Sequence, residues 1–453
     1  MKKVITYGTF DLFHQGHYNL LKRAKELGDY LIVGVTTEHF DESRGKVNVV
    51  DSVLERVENV RKTGFADEII LEDHIGQKIE DIQKYQIDIF TVGSDWIGTF
   101  DYLRKFCQVI YLERTPDISS TLIRKSRFQI VDVGIIGTGR IAPRFVSEAR
   151  YVSGINISCA YNPVPESGKA FQRKCDIECE TKNLDAFLDR IEAVYIASPN
   201  ETHYDYAKKA LQCGKHVLCE KPVAFTRRQT EELYELAEEK DKVLLEGIKT
   251  AYCPGFQHLI DVALSGSIGE IRDVEACFTR LADEAARERT DAKYGGSFLE
   301  FGYYSLLPII KLFGVSYDSF QIDSITGKDG IDLYTKVQIR YPDSMATAKM
   351  GVGVKSEGEL VIAGTDGYIL AQSPWWLTRH FEVRRENPTD IKIYEPAFQG
   401  DGLRYEISEF VAQINKNAKS GYKLTREEAI AMAVITESFM KRRMEQNENG
   451  NTD

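Results

Sequence analysis

Two glycine-rich turns of different kinds, each directly after a short apolar strand, constrain this chain most. The first is Gly8-Thr9-Phe10-Asp11-Leu12-Phe13-His14-Gln15-Gly16-His17, and the second is Gly137-Thr138-Gly139-Arg140-Ile141-Ala142. A strand that leads through such a turn into a helix places backbone N–H groups and the positive end of the helix dipole beside a phosphate group. The sequence therefore predicts two α/β units, each binding a phosphorylated ligand.

Apolar strands alternate with amphipathic helices through the first half of the chain, which is typical of parallel sheets. In the first unit we expect strands at 3–7, 30–36, 87–92 and 108–112, and helices at 16–27, 51–63, 76–84 and 119–127. A new buried strand at 128–136 follows without a glycine-rich or proline-rich linker. The alternation then resumes to about residue 247.

Longer strands with one alternating face follow, at 271–281, 333–341 and 346–353, and closing helices are expected at 403–416 and 425–443. This pattern predicts a large mixed or antiparallel sheet. The expected fold class is α/β, with two successive parallel α/β domains and a C-terminal α+β domain with an open mixed sheet. The corresponding expected segments are 1–128, 129–250 and 251–445, with a polar, disordered tail at 446–453.

Composition excludes several partners. The net charge is −11 and no long run of Lys or Arg is present, which argues against nucleic acid or an anionic membrane. The N-terminal residues read as a buried strand rather than a signal peptide, and no window of about 18 apolar residues exists. The eight scattered cysteines lack zinc-ligand spacing, so reduced thiols and a cytoplasmic location are expected.

The first turn holds two histidines three positions apart, at the end of a strand and the start of a helix. Imidazoles in this position can stabilise negative charge on an attacked α-phosphate and on departing pyrophosphate. The alternative is that His14 and His17 only cap the helix. The spacing, together with Gly8-Thr9-Phe10 after a strand, favours nucleotidyl transfer.

Residues 1–127 resemble the glycerol-3-phosphate cytidylyltransferases. The resemblance is carried by the first turn, by Val92-Gly93-Ser94-Asp95-Trp96 and by Arg114-Thr115-Pro116-Asp117-Ile118-Ser119-Ser120-Thr121. It implies a CTP site formed by Gly8, Thr9, Phe10, His14, His17, Lys46, Asp95, Arg114, Thr115, Ile118, Ser119, Ser120 and Thr121.

The resemblance also implies that Arg44 and Lys78 hold the polyol phosphate. Asp11 is a candidate Mg²⁺ ligand, with a structural aspartate as the alternative. One departure concerns the acceptor, because Gly64 stands where the glycerol enzymes have a second arginine. Arg61 or Lys62 can substitute, and a polyol phosphate other than sn-glycerol 3-phosphate is compatible with this change.

The second turn, Gly137-x-Gly139-x-x-Ala142, follows a buried strand and opens a helix, as a dinucleotide fingerprint does. The alternative is a tight strand-to-helix turn without a ligand. About 20 residues further on, an acidic residue would bind the ribose of NAD. Here the residue is Asn162, which does not repel a 2′-phosphate, so both NAD and NADP are compatible.

Residues 130–443 resemble the glucose–fructose oxidoreductase/inositol dehydrogenase (Gfo/Idh/MocA) family. The resemblance is carried by the segments 193–203, 210–222 with Glu220-Lys221-Pro222, and 295–304. It implies an NAD(P) site formed by Gly137, Thr138, Gly139, Arg140, Ile141, Asn162, Ser198, Pro199, Asn200, His203, Glu220 and Lys221.

By the same resemblance, Lys221 hydrogen-bonds the reacting oxygen and helps move its proton. Where the family often has Asp-x-Gly-x-His, this chain has Glu300-x-Gly302-x-Tyr304. A phenol at Tyr304 can donate a proton to a nascent alkoxide, and Glu300 alters substrate reach. The alternatives are a surface lysine at Lys221 and a core-filling tyrosine at Tyr304.

The two resemblances together predict a bifunctional enzyme, with a Rossmann-like nucleotidyltransferase domain followed by an NAD(P)-binding Rossmann domain. One unit reduces a small keto or aldehyde sugar with NAD(P)H, and the other couples the polyol phosphate to CTP, which implies bacterial capsule or teichoic-acid synthesis. In the alternatives, the oxidoreductase unit acts on an unrelated sugar or on the CDP-linked product, or is a non-catalytic dimerisation module. A homodimer or homotetramer is expected.

Overall fold

The computed structural model describes residues 1–37, 40–41, 49, 51–113, 130–327, 329–415 and 423–450. They form two compact units. The first contains residues 1–131 and 150–156, and the second contains residues 132–149 and 157–453. The helix expected at 119–127 lies outside the described residues.

The first unit is built on a five-stranded parallel sheet with the order β3-β2-β1-β4-β5. The strands are β1 (Lys3–Gly8), β2 (Tyr30–Thr36), β3 (Glu68–Glu72), β4 (Ile89–Gly93) and β5 (Gln108–Leu112). The helices are α1 (Gln15–Glu26), α2 (Val53–Lys62) and α3 (Gln77–Tyr85), with 3₁₀ turns at Ser94–Trp96 and Asp101–Lys105.

The central strand β1 is buried on both faces because neighbouring side chains of a strand point in opposite directions. Val4 packs with Leu31 and Val33 on one side, whereas Ile5 packs with Ile32 and Phe90 on the other. A parallel sheet covered on both faces needs this continuous apolar run. The turn that follows β1 is thereby fixed at the carboxyl edge of the sheet.

The second unit begins with a six-stranded sheet of the order β11-β10-β9-β6-β7-β8, whose paired strands run parallel. The strands are β6 (Val131–Ile136), β7 (Ile155–Tyr161), β8 (Cys179–Thr181), β9 (Ala193–Ile196), β10 (His216–Glu220) and β11 (Leu244–Gly247). The order reverses between β6 and β9, the position where open parallel sheets bind ligands.

An eight-stranded sheet follows, with the order β13-β14-β15-β12-β16-β17-β18-β19. Among its described strands, β12 and β15 pair in parallel and the other neighbours pair antiparallel, so the sheet is mixed, as the sequence predicts. The strands are β12 (Ile271–Thr279), β13 (Ser319–Thr326), β14 (Asp332–Arg340), β15 (Met345–Gly351), β16 (Leu360–Gly364), β17 (Tyr368–Ala371), β18 (Phe381–Arg384) and β19 (Ile391–Tyr394).

Helices cover both sheets of the second unit. They are α4 (Ala142–Ala149), α5 (Pro165–Cys175), α6 (Leu184–Leu188), α7 (His203–Gln212), α8 (Arg227–Glu239), α9 (Lys249–Tyr252), α10 (Pro254–Leu264), α11 (Arg287–Thr290), α12 (Ser297–Phe313), α13 (Leu403–Ile414) and α14 (Arg426–Gly450), with 3₁₀ turns at Asn200–Thr202 and Trp375–Leu377. The last of these helices, α14, extends to Gly450, and the domain bounds and tail expected from the sequence stay predictions.

Candidate active sites

The histidine pair lies where β1 meets α1. His14 caps α1, and its Nδ1 accepts a hydrogen bond from the backbone N–H of Gly16 at 2.9 Å. The His14 and His17 rings are stacked, with 3.9 Å between their centroids. Because Nδ1 accepts this bond, a neutral His14 carries its proton on Nε2. Capping and charge stabilisation are therefore compatible roles for the same side chain.

The residues just before the histidines have a strained backbone. Phe10 and Leu12 have φ values of 53° and 48°, and such left-handed conformations cost non-glycine residues about 1–3 kcal/mol. The Phe10 ring is buried and meets the edge of His17 with 5.5 Å between centroids. The Phe10 ring therefore packs against His17 from the core. The backbone of Phe10 is the part that is suited to a nucleotide contact.

Arg56, which is not among the predicted site residues, stabilises this region. Its fully buried guanidinium donates to the backbone carbonyls of Thr9, Thr36 and Asp51 at 2.8–3.0 Å. It also pairs with the buried carboxylate of Asp41 at 3.3 Å. An arginine whose forked N–H groups bridge three loop segments fixes their geometry, although no local sequence pattern reveals the bridge.

The remaining predicted residues of the first site have mixed surroundings. Asp11 is buried, and its Oδ1 accepts the backbone N–H of Asp51 at 3.0 Å, which favours the structural alternative. Among the described residues, no group of three or more His, Cys, Asp or Glu side chains is placed to hold a metal.

The ammonium of Lys78 pairs with Glu72, and Asp95 is exposed in the 3₁₀ turn after β4. Arg44, Lys46, Arg114, Thr115, Ile118, Ser119, Ser120 and Thr121 lie outside the described residues.

All residues predicted for the second site, from the turn at 137–141 to Tyr304, line one cavity of about 1430 Å³ in the second unit. The strand ends of the six-stranded sheet form one side of this cavity. Phe278 and Trp376 of the C-terminal region line it as well. The structure thus brings together residues that are up to 167 positions apart in the predicted set, such as Gly137 and Tyr304.

The glycine-rich turn fits a dinucleotide. Gly137 has a φ of 94°, and a Cβ there would lie 2.5 Å from the backbone nitrogen of Ser198, so only glycine is accommodated. A Cβ on Gly139 would meet no atom within 4 Å, so this position leaves open space at the cavity. The amide of Asn162 donates to the Thr138 hydroxyl at 2.7 Å and fixes the turn. These residues would hold the pyrophosphate near the start of α4.

His203 anchors the cavity wall. Its Nδ1 lies 2.8 Å from the carbonyl oxygen of Pro222, and its Nε2 lies 2.9 Å from that of Ser198. Burial lowers the pKa of His203, so the neutral ring donates to one of these carbonyls. The imidazole connects the loops after β9 and β10, which is a positioning role that its sequence motif does not reveal.

Lys221, at the start of the loop after β10, points its ammonium toward α12. Its Nζ donates to the backbone carbonyls of Glu300 at 2.7 Å and Leu299 at 3.3 Å. It also lies 5.7 Å from the centroid of the Tyr304 ring. Lysine has three N–H donors, so two backbone bonds orient the group and leave one N–H for a ligand oxygen.

Burial shifts the pKa of both the carboxyl and the phenol beside Lys221 upward. Burial raises the pKa of the Glu220 carboxyl, which accepts a hydrogen bond from Tyr195 at 2.7 Å. Burial also raises the pKa of Tyr304 well above its ordinary value, and the nearby Glu220 charge raises it further. Tyr304 is therefore a phenol with its proton in place at neutral pH, as a general acid must be.

Within the part of the chain that the structure describes, no helix is both long and apolar enough to span a membrane.

The two sites define a class of protein: a chain that joins a nucleotidyltransferase-type α/β unit to a dinucleotide-binding oxidoreductase unit.

Comparison with known proteins assigns both units. Residues 5–126 match the cytidylyltransferase-like family, and residues 131–248 match the oxidoreductase family with an NAD-binding Rossmann fold (GFO_IDH_MocA). The chain belongs to both families and is a bifunctional enzyme with a cytidylyltransferase domain and an NAD(P)-dependent oxidoreductase domain.

Individual relatives agree with this assignment. The chain is 53% identical over 125 residues to glycerol-3-phosphate cytidylyltransferase of Bacillus spizizenii, covering 28% of this chain and 96% of the relative. It is 29% identical over 326 residues to scyllo-inositol 2-dehydrogenase (NADP(+)) IolU of Bacillus subtilis, covering 69% of this chain and 97% of the relative.

The fold of the second unit also resembles a solved structure. The crystal structure of KijD10, a 3-ketoreductase from Actinomadura kijaniata in complex with NADP and TDP-benzene, superimposes with a TM-score of 0.61 at 21% identity. The match covers 68% of this chain and 96% of that chain. It supports the Rossmann sheet followed by a mixed sheet.

Proposed function

We propose that this enzyme makes a CDP-activated polyol in two steps. The oxidoreductase domain reduces a small keto or aldehyde sugar, carrying a phosphate, to a polyol phosphate. The cytidylyltransferase domain then transfers the cytidylyl group of CTP to that phosphate and releases pyrophosphate. The observation that carries the proposal is the presence in one chain of the stacked His14–His17 pair and of the cavity around Lys221.

The acceptor is proposed to be glycerol phosphate or a related polyol phosphate. The 53% identity to a glycerol-3-phosphate cytidylyltransferase supports this class of acceptor. Gly64, which replaces an arginine expected from the family pattern, is the reason for including related polyols. A polyol phosphate is also the product of reducing a phosphorylated ketose or aldose, which gives the fusion a chemical rationale.

In the first site, the histidines would stabilise the charge that develops on the triphosphate. Nε2–H of a neutral His14 can donate to a phosphate oxygen, and the N-terminus of α1 adds a partial positive charge. Arg56 would keep the loop around Thr9 rigid during transfer. We propose that Mg²⁺ enters with CTP, because Asp11 is engaged with the backbone N–H of Asp51.

In the second site, the turn at 137–141 would bind the pyrophosphate, with Asn162 near the adenosine ribose and Ser198, Pro199 and Asn200 near the nicotinamide. The bound NAD(P)H supplies a hydride to the carbonyl carbon. Lys221 would hold the reacting oxygen through its remaining N–H, and Tyr304 would donate the proton that the nascent alkoxide needs. Glu300 would limit the space for the substrate.

The proposed product would donate polyol phosphate to a bacterial surface polymer, as in capsule or teichoic-acid synthesis. We also propose that the enzyme is a homodimer or homotetramer, because several strands of the eight-stranded sheet expose large apolar side chains, Ile325, Met345, Ile391 and Ile393 among them. Light scattering at micromolar concentration tests this, and a monomer would exclude it.

The decisive experiment measures NADH and NADPH oxidation with a panel of keto and aldehyde phosphates, with and without CTP, and identifies nucleotide products by mass spectrometry. The expected result is oxidation with one phosphorylated compound and a CDP-polyol when CTP is present. If only a CDP-linked compound or an unphosphorylated cyclitol ketone were reduced, the proposed order of reduction followed by cytidylyl transfer would be wrong. No turnover with any compound would favour a non-catalytic second domain.

A further inference from the structure

The cavity around Lys221 has an excess of positive side chains. Among the described residues that line it, five arginines and two lysines face four carboxylates. This local excess of three positive charges occurs in a chain with a net charge of −11. Clefts with one dominant sign of charge raise the local concentration of oppositely charged ligands, so this cavity favours anionic compounds.

Three of the arginines are already neutralised by short ion pairs. Arg140 lies 2.5 Å from Glu288, Arg144 lies 2.6 Å from Asp401, and Arg287 lies 3.1 Å from both Glu201 and Asp291. These pairs hold the cavity walls in place. The ion pairs alone explain why these three arginines line the cavity, without a bound ligand.

Arg280 and Arg379 differ from those three. The carboxylate nearest to Arg280 is that of Glu300, at 3.6 Å, which exceeds hydrogen-bond distance. Arg379 has no carboxylate within 4.0 Å among the residues described here. The guanidinium of Arg280 lies 5.6 Å from the Phe301 ring centroid, and that of Arg379 lies 4.8 Å from that of Phe398. Contacts with aromatic rings constrain each guanidinium without occupying its N–H groups.

Both arginines line the same cavity as Lys221, and each follows one of its aromatic residues in the sequence. Arg280 follows Phe278 by two residues, and Arg379 follows Trp376 by three. The rings of Phe278 and Trp376 are stacked with 3.5 Å between centroids, and Phe278 lies 5.4 Å from Tyr304. The adenosine end, in contrast, is marked by Asn162 and Thr138. Arg280 lies at the Lys221 end, because its guanidinium is 3.6 Å from the carboxylate of Glu300, whose backbone carbonyl accepts from Lys221. Arg379 lines the same cavity and contacts Phe398.

We propose that Arg280 and Arg379 form an anion subsite that binds a phosphate monoester on the substrate of the oxidoreductase domain. This inference rests on the proposed function and assigns the group that selects the substrate. A phosphate monoester carries between one and two negative charges at neutral pH, and the forked N–H groups of arginine match its oxygens. The same phosphate becomes the acceptor in the cytidylyltransferase domain.

The test uses the full-length enzyme and the fluorescence of NADPH, which reports on the second site because the nicotinamide binds there. With saturating NADPH, we would titrate glycerol 3-phosphate, glycerol 2-phosphate, inorganic phosphate, glycerol and CDP-glycerol. Wild type, R280Q, R379Q and the control R272Q would be compared, because Arg272 is exposed on β12 and lies outside the cavity. All three substitutions replace exposed side chains, and circular dichroism confirms folding.

We expect a glycerol phosphate to bind at least about tenfold more tightly than glycerol. R280Q and R379Q should each weaken that binding at least about tenfold, while R272Q and the affinity for NADPH stay unchanged. Equal binding of glycerol and both glycerol phosphates would overturn the subsite, and so would a loss of NADPH affinity in R280Q or R379Q. Tighter binding of CDP-glycerol with the same arginine dependence would assign the arginines to a nucleotide diphosphate instead.

The readout separates this inference from the proposed function. Arginine-dependent binding of a glycerol phosphate supports the subsite even if no carbonyl compound is reduced, in which case the proposed reduction fails. Conversely, reduction of phosphorylated and unphosphorylated ketoses with equal KM would overturn the subsite and leave the reduction standing.

Discussion

The ammonium group of Lys221 donates a hydrogen bond to the backbone carbonyl of Glu300 at 2.7 Å. This bond connects the strand β10, which ends at Glu220, to the first turn of α12. The bond orders the Lys221 side chain before a substrate binds, so the entropy cost of ordering it does not reduce the affinity for the substrate. The Lys221 ammonium thus links the Rossmann sheet to the helix that carries Tyr304, and this link orients its N–H groups.

Lys221→Ala should abolish NAD(P)H oxidation, with a loss of at least about a hundredfold, because the reacting oxygen loses its donor. Release of pyrophosphate from CTP should be unchanged, since the histidine pair belongs to the other unit. Both activities would be measured on the same preparation, with the exposed Lys240→Ala as a control. Parallel loss of both activities in a folded protein would show that the sites are not independent.

Tyr304→Phe should lower kcat for reduction by about a hundredfold or more while the KM changes little, because the ring is kept and only the proton donor is removed. Burial raises the pKa of Tyr304, so the wild-type rate should not fall near neutral pH through loss of this proton. Steady-state NADPH oxidation at several pH values tests both statements. An unchanged kcat would assign the phenol to packing against Phe278.

The sequence could reveal residues whose chemistry is local. The glycines at 137 and 139, the histidines at 14 and 17, and Lys221 beside its proline all belong to short motifs. The cavity around Lys221 was therefore predictable in outline. The pairing of β12 with β15 in parallel was not, because strand order is set by long-range contacts.

Other site residues could not be found from the sequence because their partners are distant along the chain. Arg280 and Arg379 are 99 positions apart and belong to no motif. Arg56 donates to the backbone carbonyls of Thr9 and Thr36. The sequence alone does not show whether an arginine is buried or exposed. His203 was predicted from its motif as a cofactor contact, and its two ring nitrogens also lie 2.8 and 2.9 Å from two backbone carbonyl oxygens, a contact that the motif does not reveal.

His14→Ala and His17→Ala should each reduce pyrophosphate release by at least about a hundredfold, because charge on the departing group loses a stabilising donor. His14→Ala should also lower the thermal stability of the first unit slightly, since the cap on Gly16 is lost. A malachite-green assay after pyrophosphatase treatment measures the rate. Near-normal release in both variants would leave the histidines with capping alone.

Arg56→Met should destabilise the first unit by about 3–5 kcal/mol, because Asp41 would remain buried without its ion pair. The three carbonyls that Arg56 bridges would lose their donor as well. Urea unfolding followed by circular dichroism measures the loss, and the exposed Arg61→Met serves as control. Equal midpoints for the two variants would contradict a bridging role.

The stability of the second unit should depend on pH through Glu246. This side chain is 1% exposed, and its Oε1 accepts the backbone N–H of Val223 at 2.8 Å. Burial raises the pKa of Glu246 from 4.5 to about 8. Between these two pH values the folded state keeps a proton that the unfolded state has released, so stability falls as pH rises, by at most about 1.4 kcal/mol per pH unit.

Glu246→Gln should remove this dependence, because the amide oxygen can still accept from Val223 and the side chain no longer titrates. The variant should therefore gain stability relative to wild type as pH rises from 5 to 8, with little difference at pH 4. Differential scanning calorimetry at each pH measures the effect, and the exposed Glu239→Gln is the matched control. If the Tm curves of wild type and Glu246→Gln ran parallel from pH 4 to pH 8, Glu246 would be ionised in the folded protein and this assignment would be wrong.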